Sequence, residues 1–304
     1  MLPYFKTLLD LTNTFPDEAA CIAHLESILW PNGPISPFDA TSKVYKCAGH
    51  RYKCKNTGKY FNVKAGTVFE DTKIPLVKWF MALYIFSSHK KGISSYQLAR
   101  DIGVTQKSAW FLLHRLRYVF KHPAAPLVGT VEVDETYVGG KEKNKHASKK
   151  TAGNQGRSTK TKAAVFGMLQ RDGQVVAQVV PDVTAETLLP LIEEAVEAGA
   201  TVVSDEYQVY RKVADAYTHA FVRHGAKEYV NGMAHTNGLE GFWSHFKRMV
   251  DGIYHHISVK HLQTYVNEFS RRWNTRRMET GERFNTILSN ITGRLTYAAL
   301  IAHA

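Results

Sequence analysis

Three acidic residues lie in local sequence contexts that could bring them together as metal ligands. Asp134 falls within residues 130–137, an alternating apolar run that is typical of a β-strand. Asp205 directly follows residues 200–204, a second short run rich in β-branched side chains. Glu240 lies where the pattern predicts the start of an amphipathic helix. Two strand ends and one helix start are separate elements that can converge on a single site.

Carboxylates of this kind suit a particular chemistry. Mg²⁺ is a hard cation that prefers oxygen ligands and keeps several waters, so a few carboxylates can hold it. Two such ions stabilise both the attacking and the leaving oxygen when a phosphodiester bond is broken. An isolated Asp or Glu at a strand end is more often a solvated cap, but three in these contexts favour a shared site. We therefore predict that Asp134, Asp205 and Glu240 are metal ligands for phosphoryl transfer.

The composition indicates a folded protein with a polyanionic partner. The chain has 304 residues, 44% of them hydrophobic, and a formal net charge of +12. This length suffices for about two domains, and the charge favours nucleic acid first and an anionic membrane surface second. No apolar run is long enough to span a bilayer and no signal peptide is recognisable. Three cysteines make no disulfide framework, so we expect a cytoplasmic protein without membrane association.

Residues 1–75 are predicted to form a small β-rich module behind an N-terminal helix. A helical pattern covers residues 19–29. In residues 43–47 and 50–54, aromatic and basic side chains alternate at the period of a strand, which predicts a hairpin with one buried face. This module is either a structural cap or a DNA-contacting element, and the pattern alone leaves both readings open.

Residues 76–122 are predicted to contain a helix-turn-helix. A buried helix over residues 77–86 precedes two short amphipathic helices within residues 93–117, which join at Gly103. Thr105 is a plausible cap of the second helix. The residues expected to face the major groove are Gln106, Lys107 and Ser108. Helical hairpins with a glycine turn also occur without DNA, but the net charge favours the DNA-binding interpretation.

Residues 127–280 are predicted to be a catalytic α/β domain, followed by a helical tail over residues 281–304. The elements expected in order are strands at 129–137, 163–170 and 174–180, a helix at 185–198 and a strand at 201–204. This order matches the start of a ribonuclease-H-like mixed sheet, in which Asp134 and Asp205 would lie side by side. Ligands commonly bind at strand ends of such sheets.

A strongly basic segment, residues 141–162, follows the strand that carries Asp134. It contains eight Lys or Arg residues and one acid. Such a run is commonly a solvated loop, but its position favours a flap that holds DNA phosphates over the site. The residues predicted to contact DNA here are Lys149, Lys150, Arg157, Lys160 and Lys162.

Four motifs together resemble those of bacterial insertion-sequence transposases, especially of the Merlin-related superfamily. The motifs lie at residues 129–141, 155–160, 203–207 and 235–248, and the resemblance covers nearly the whole chain. It implies DDE-type transposition by a ribonuclease-H-like domain that uses two Mg²⁺ or Mn²⁺ ions.

The resemblance assigns roles to individual residues. Asp134 and Asp205 would be the first two metal ligands. The third motif offers Asn237 and Glu240, one helical turn apart, and both are candidates, although a carboxylate binds Mg²⁺ more strongly than an amide. Lys247, seven residues beyond Glu240, would face the same way and reach a DNA phosphate. His235 would position water or a strand, although a His at a helix start is more often a solvated cap.

The N-terminal module departs from the family pattern, which often includes a zinc ribbon with two Cys-x-x-Cys pairs. The corresponding positions here are Ser36, Asp39, Cys54 and Thr57. One thiolate of four remains, whereas structural zinc needs four N or S ligands. We therefore expect a degenerate ribbon without structural zinc.

Three functions remain open at this point. The first is a DNA transposase that binds terminal inverted repeats, cleaves them and joins them to target DNA. Because two element ends must be brought together, it would act as a homodimer or a higher oligomer. The second is a catalytically idle DNA-binding protein or regulator that retains the fold, and the third is a structure-selective nuclease without strand transfer.

Overall fold

The computed structural model describes residues 5–121, 125–140, 146–149, 161–205, 210, 213, 217–222 and 235–302. The chain folds as two compact units, one of residues 1–121 with 277–304 and one of residues 122–276. In the described residues, no helix is long and apolar enough to cross a membrane. The division of the sequence into four functional segments stays a prediction.

The first unit is built around one buried helix. Its helices are α1 (Leu8–Thr14), α2 (Glu18–Leu29), α3 (Leu76–Ser88), α4 (Ser95–Ile102), α5 (Gln106–Tyr118), α9 (Thr280–Leu288) and α10 (Tyr297–Ile301). Nine of the thirteen residues of α3 are buried, because its apolar side chains run around the helix. Helix α9 completes this core: the ring of Phe284 lies 5.0 Å from that of Phe5 and 5.4 Å from that of Phe80.

Helices α4 and α5 lie where the sequence predicts a helical pair. Gly103 ends α4 with φ of 61°, a left-handed conformation that glycine adopts without a steric penalty. Thr105 caps α5 by accepting a hydrogen bond from the backbone N–H of Ser108 at 3.2 Å. The junction between the two helices is therefore specified by local sequence.

The small sheet of the first unit has one buried and one exposed face. It consists of three antiparallel strands, β1 (Val44–Cys47), β2 (Arg51–Cys54) and β3 (Tyr60–Phe61). On the inner face Tyr52, Cys54 and Phe61 are buried, and the Trp30 ring packs edge-on against Tyr52 at 5.1 Å. The predicted hairpin is thus present and gains a third strand.

Polar groups surround the one remaining ribbon cysteine. The Cys54 side chain is fully buried, and hydrogen bonds from Ser36, Ser42 and Thr57 lower the pKa of its thiol to about 6. Asn56 Nδ2 donates to Asp39 Oδ2 at 2.8 Å, which links the two turns that contain the predicted ribbon positions. Hydrogen bonds between side chains hold these turns together.

This arrangement predicts that zinc binding can be restored. The triple variant Ser36→Cys, Asp39→Cys, Thr57→Cys is expected to bind about one zinc ion per chain, because Cys54 then gains three thiolate neighbours on turns that already meet. Metal analysis of purified, dialysed protein checks this, with the natural chain as the control, for which we expect no zinc. Zinc in the natural chain, or none in the variant, would contradict the interpretation.

The second unit is a mixed sheet covered by helices on both faces. Its strands are β4 (Thr130–Val138), β5 (Ala163–Gln170), β6 (Val175–Val180), β7 (Thr201–Ser204) and β8 (Thr218–Phe221), in the order β6-β5-β4-β7-β8. Strands β4, β5 and β6 are antiparallel neighbours, and β7 and β8 run parallel to β4. Helix α6 (Ala185–Ala195) packs on one face, and α7 (Asn237–Met249) and α8 (Val259–Asn274) pack on the other. The predicted ribonuclease-H-like mixed sheet is confirmed, with β8 as an additional strand.

Helix α6 is shorter than its sequence pattern predicts. It ends at Ala195 rather than at residue 198, because Val196 adopts an extended conformation with φ of −113°. Val196 forms a parallel bridge with Leu127, and the Glu197 N–H donates to the Leu127 carbonyl at 2.9 Å. Backbone pairing with the segment before β4 therefore ends the helix.

Helix α8 covers the edge of the sheet at β6. Gln263 Oε1 accepts a hydrogen bond from the Val179 N–H at 2.7 Å. Asn274 makes two bonds to the Val175 backbone, accepting from its N–H at 2.8 Å and donating to its carbonyl at 3.0 Å. Unpaired backbone groups on an edge strand invite association with other chains. These two amides satisfy them from within the unit.

Candidate active site

Strand β4 presents Asp134 to the side of the sheet where α7 packs. Alternate residues of a strand face opposite sides. Val131 and Val133 lie in the core with α6, so Glu132 and Asp134 face α7. Asp134 pairs across the strands with Gly167 of β5.

Gly167 allows α7 to approach the sheet closely beside Asp134. A Cβ atom at this position would lie 2.5 Å from Cζ2 of Trp243 and 3.1 Å from Cδ1 of Leu239. Leu239, Phe242, Trp243 and Phe246 are all buried on this face, as their spacing predicts. The absence of a side chain at Gly167 thus lets α7 lie close to the strand that carries Asp134.

Asp205 follows strand β7 at the level of Asp134. The parallel register pairs Glu132 with Val203, and continuing it by two residues places Asp205 beside Asp134. Asp205 is 8% exposed. The Ser204 hydroxyl, which is fully buried, donates to the Asp205 carbonyl at 2.8 Å and lies 2.9 Å from His219 Nε2. Burial lowers the pKa of His219, and the neutral ring can donate to the Ser204 oxygen.

Helix α7 carries the third predicted ligand in its first turn. Thr236 precedes the helix, and its hydroxyl donates to Glu240 Oε1 at 3.3 Å. Asn237 and Glu240 are both exposed, as is Lys247 two turns further along. His235 is half-buried, with Nδ1 3.3 Å from Glu132 Oε1.

The three predicted ligands interact electrostatically. The pKa of Asp134 is raised to about 8, first by burial and then by the negative charges of Glu135, Asp205 and Glu240. Within the described ranges, no three His, Cys, Asp or Glu side chains form a group that could hold a metal ion.

The chemistry of these donors fits a divalent cation. Asp134, Asp205 and Glu240 supply only oxygen ligands, which is what Mg²⁺ and Mn²⁺ take. Their mutual repulsion raises the pKa of Asp134, and a bound cation would offset that repulsion. That these three residues act as metal ligands stays a prediction.

Two further acids beside Asp134 have structural partners that the sequence did not reveal. Glu135 faces the opposite side of the sheet from Asp134, where its Oε2 accepts a hydrogen bond from the Tyr210 hydroxyl at 2.9 Å. Glu132 is 1% exposed and bonds to Arg171 Nε at 3.0 Å. Strand alternation alone would have indicated that Glu132 shares the face of Asp134, but not that both of its oxygens are bonded within the protein.

The predicted groove-facing residues make contacts within the first unit. Gln106 Nε2 donates to Ser95 Oγ at 2.8 Å, and Ser108 Oγ accepts from the Thr105 hydroxyl at 2.9 Å. The Lys107 ammonium lies 4.8 Å from the centre of the Tyr297 ring on α10. Lys107 is the exposed one of the three predicted residues.

The basic segment connects the neighbouring ends of β4 and β5. Val138 of β4 pairs with Ala163 of β5, so the two ends of the segment meet there. Residues 147–149 form a single 3₁₀ turn, which includes the backbone of Lys149, and Lys162 is half-buried next to β5. Lys150, Arg157 and Lys160, predicted to contact DNA, lie outside the described residues.

Comparison with known proteins places this chain in a family. Residues 126–274 match the family described as the ISXO2-like transposase domain. The chain is 30% identical over 289 residues to an "Uncharacterized protein in transposable element ISH50" of Halobacterium salinarum, covering 90% of this chain and 97% of that protein. The protein therefore belongs to the ISXO2-like family of insertion-sequence transposases.

Two other similarities are more limited. An "Uncharacterized transposase-like protein" of Haemophilus influenzae is 29% identical over 102 residues, which are 33% of this chain and 81% of that protein. The solved Mos1 Strand Transfer Complex has a chain 12% identical to this one, with a TM-score of 0.29, covering 71% of this chain and 79% of that chain.

Proposed function

We propose that the protein is a DDE-type DNA transposase that binds the terminal inverted repeats of its insertion sequence and cleaves and joins DNA by metal-dependent phosphoryl transfer. The observation that carries this proposal is geometric: the parallel register of β4 and β7 places Asp134 beside Asp205, and α7, which carries Glu240, packs on the face of the sheet to which Asp134 points. These carboxylates come from β4, β7 and α7, which are the elements that the sequence predicts for a phosphoryl-transfer site.

Asp134, Asp205 and Glu240 would hold two Mg²⁺ or Mn²⁺ ions, which would stabilise the charge that develops on the attacking and leaving oxygens. Glu240 is favoured over Asn237 as the third ligand, because its charge acts on Asp134 and the Thr236 hydroxyl holds its carboxylate. Asn237, exposed three residues earlier, would contact the DNA strand at the site.

The cations near the candidate site would position DNA. Lys247 is exposed on α7 on the same side as Glu240, so its ammonium would bind a phosphate next to the cleaved bond. His235 borders the first turn of α7 and would position the attacking water or the strand. Water would attack at the element end, and the freed 3′-hydroxyl would then attack the target DNA.

Basic residues of the segment 141–162 and of α5 would add phosphate contacts away from the reaction centre. Between β4 and β5 in the sequence, these residues are Lys149, Lys150, Arg157, Lys160 and Lys162. In the first unit, Lys107 at the start of α5 is exposed and would contact the inverted repeat. Gln106 and Ser108 could reach base edges only by giving up their bonds to Ser95 and Thr105.

The exposed face of the small sheet is a second candidate DNA surface. Tyr45, Lys53 and Tyr60 are direct neighbours across the three strands, and the two tyrosines are 42% and 53% exposed. Lys53 Nζ lies 5.6 Å and the Arg51 guanidinium 5.4 Å from the centre of the Tyr60 ring. Residues 43–61 contain no acid. Cations interleaved with exposed aromatic rings suit a nucleic acid, which favours DNA contact over a purely structural role for this module.

The salt dependence of binding tests this surface. In the double variant Arg51→Ala, Lys53→Ala, DNA binding should weaken, and the slope of log K against log salt should become shallower by about 0.9 per lost phosphate contact. Titration of end DNA at several salt concentrations measures both. Lys73→Ala, an exposed lysine between β3 and α3, is the control. If the salt-dependence slopes of the double variant and the natural protein are equal, the small sheet does not contact DNA phosphates.

The reaction itself is tested with the natural protein and DNA from the element end. Incubation with Mg²⁺ or Mn²⁺ should give cleavage at the terminus and, with target DNA present, joined products. Cleavage without joining would favour a nuclease, and binding without cleavage under either metal would favour an idle regulator. Because two ends must be joined, we also expect at least a dimer when the protein is bound to end DNA.

A further inference from the structure

Glu132 is a buried carboxylate that joins three elements of the second unit. It lies on β4, two residues before Asp134 and on the same face of the sheet. Its Oε1 accepts a hydrogen bond from Arg171 Nε at 3.0 Å, and Arg171 lies between β5 and β6. Its Oε2 accepts a hydrogen bond from the backbone N–H of Leu239 at 2.9 Å. Leu239 is the third residue of α7, the helix that carries Glu240.

The bond to Leu239 caps the start of α7 from outside the helix. The first N–H groups of a helix have no partner within it, and negative charge near them is favourable. Thr236, the residue before the helix, gives it no side-chain cap, and its hydroxyl donates to Glu240. Glu132 therefore supplies from β4 the carboxylate that a local N-cap residue supplies in other helices.

Arg171 and Gly238 reinforce the same contact. Arg171 donates a second hydrogen bond from Nη2 to the His235 carbonyl at 2.9 Å, so the chain is held on both sides of the helix start. At Gly238, a Cβ atom would lie 2.9 Å from Glu132 Oε2. The carboxylate thus packs directly against the helix backbone, and this closeness requires a glycine.

We propose that Glu132 is a positioning residue that holds the first turn of α7 on strand β4 and thereby sets Glu240 opposite Asp134. Glu240 is the residue directly after Leu239, and Asp134 lies about 6.6–6.8 Å along the same strand from Glu132. The two bonded oxygens and the burial of Glu132 leave it no role as a metal ligand. Its effect on catalysis rests on the proposed function, but its hold on α7 can be measured without any reaction.

Hydrogen exchange tests the contact in the variant Glu132→Gln. Glutamine keeps the size of the side chain but has one acceptor and no charge to hold Arg171. Amides of residues 237–241 should exchange at least about tenfold faster than in the natural protein, because a bond to a charged group is lost. Glu268→Gln is the matched control: Glu268 is fully buried on α8 and bonded to Arg272 and Tyr254. Unchanged exchange at 237–241 in Glu132→Gln would overturn the proposal.

Alanine substitutions at two glycines of α7 distinguish a loss of the contact with Glu132 from a general loss of helix stability. Alanine favours a helix interior over glycine, so Gly238→Ala can weaken the site only by displacing its neighbours, Glu132 and Leu169. Gly241→Ala is the control, since no atom in the described part of the chain lies within 4 Å of its Cβ position. Exchange at 237–241 should accelerate in Gly238→Ala and stay slow in Gly241→Ala.

The metal dependence of cleavage connects this contact to catalysis. In Glu132→Gln and Gly238→Ala, the Mg²⁺ concentration for half-maximal cleavage should rise about tenfold, as for other residues that orient metal ligands. DNA binding without metal should stay unchanged, as should the Mg²⁺ midpoint in Glu268→Gln and Gly241→Ala. An unchanged midpoint in both test variants would overturn the positioning role. If the natural protein fails to cleave, the proposed function fails, while the exchange experiment still decides whether Glu132 holds α7.

Discussion

Replacing Asp205 by Asn is expected to abolish metal-dependent cleavage of element-end DNA and to leave DNA binding intact. Asp205 lies at the level of Asp134 on the adjacent parallel strand, and its charge helps to raise the pKa of Asp134. An amide of the same size keeps the packing but removes the charge that would bind a divalent ion. Since a bound metal ion would contribute several kcal/mol to stabilising the transition state, the initial cleavage rate should fall at least about 10³-fold.

The matched control for Asp205→Asn is Asp182→Asn in the same unit. Asp182 accepts hydrogen bonds from Thr184 and Thr187 at the start of α6, and these bonds lower its pKa. The control should cleave like the natural protein, since Asp182 holds a turn rather than a metal. Cleavage rates with labelled end DNA and a mobility-shift titration in EDTA give the two readouts. If Asp205→Asn cleaves within about tenfold of the natural rate, Asp205 is not an essential metal ligand.

Local patterns explain why the elements carrying the carboxylates could be predicted. Strands β4 and β7 have alternating or β-branched apolar runs, and α7 buries residues at spacings of three and four. Asp205 directly follows β7 as predicted, but Asp134 is the fifth of the nine residues of β4 rather than its end, because the strand continues to Val138 in register with β5. Strand β8 has no such pattern, since its four residues are exposed or half-buried. It is a strand through its parallel backbone pairing with β7. The existence of an element is therefore predictable where one face of it enters a core.

Contacts between distant residues explain what could not be predicted. The hydrogen bond from Leu239 to Glu132 spans 107 positions, so no window of sequence shows that Glu132 caps a helix. Helix α9 likewise packs with α3 because Phe284 fits among Phe5, Phe15 and Phe80. Both features depend on tertiary packing, which local propensity does not encode.

The break after α7 shows the same limit at a helix end. Helix α7 ends at Met249, residues Val250–Tyr254 form a π-helical turn, and His255 has φ of 58°. The pattern that predicts the start of an amphipathic helix at Glu240 does not indicate where that helix ends. Positive φ is uncommon for a residue with a Cβ and signals a constraint from the surrounding structure. The His255 N–H bonds back to the Val250 carbonyl, which closes the turn before α8 begins.

Replacing Gly167 by Ala is expected to destabilise the second unit by about 1–3 kcal/mol, the usual cost of overpacking a buried site. The added methyl group would lie 2.5 Å from the Trp243 ring, and α7 and β5 cannot both keep their positions at that distance. The shift in denaturant midpoint measures this cost. Gly140→Ala, where no atom of the described residues lies within 4 Å of the Cβ position, should stay within about 0.5 kcal/mol of the natural protein.

A double variant tests whether the destabilisation by Gly167→Ala comes from the overlap with the Trp243 ring or from a change within β5. Trp243→Phe replaces the two-ring side chain by a smaller one that no longer reaches Gly167, so it should lose stability by itself but relieve the overlap in Gly167→Ala. The double variant should therefore be less destabilised than the sum of the two single variants, by about 0.5–3 kcal/mol of coupling. If the stability losses of the two single variants simply add, the cost of Gly167→Ala arises within β5 and not from contact with Trp243. Coupling would show that the close approach of α7 beside Asp134 requires a glycine at position 167.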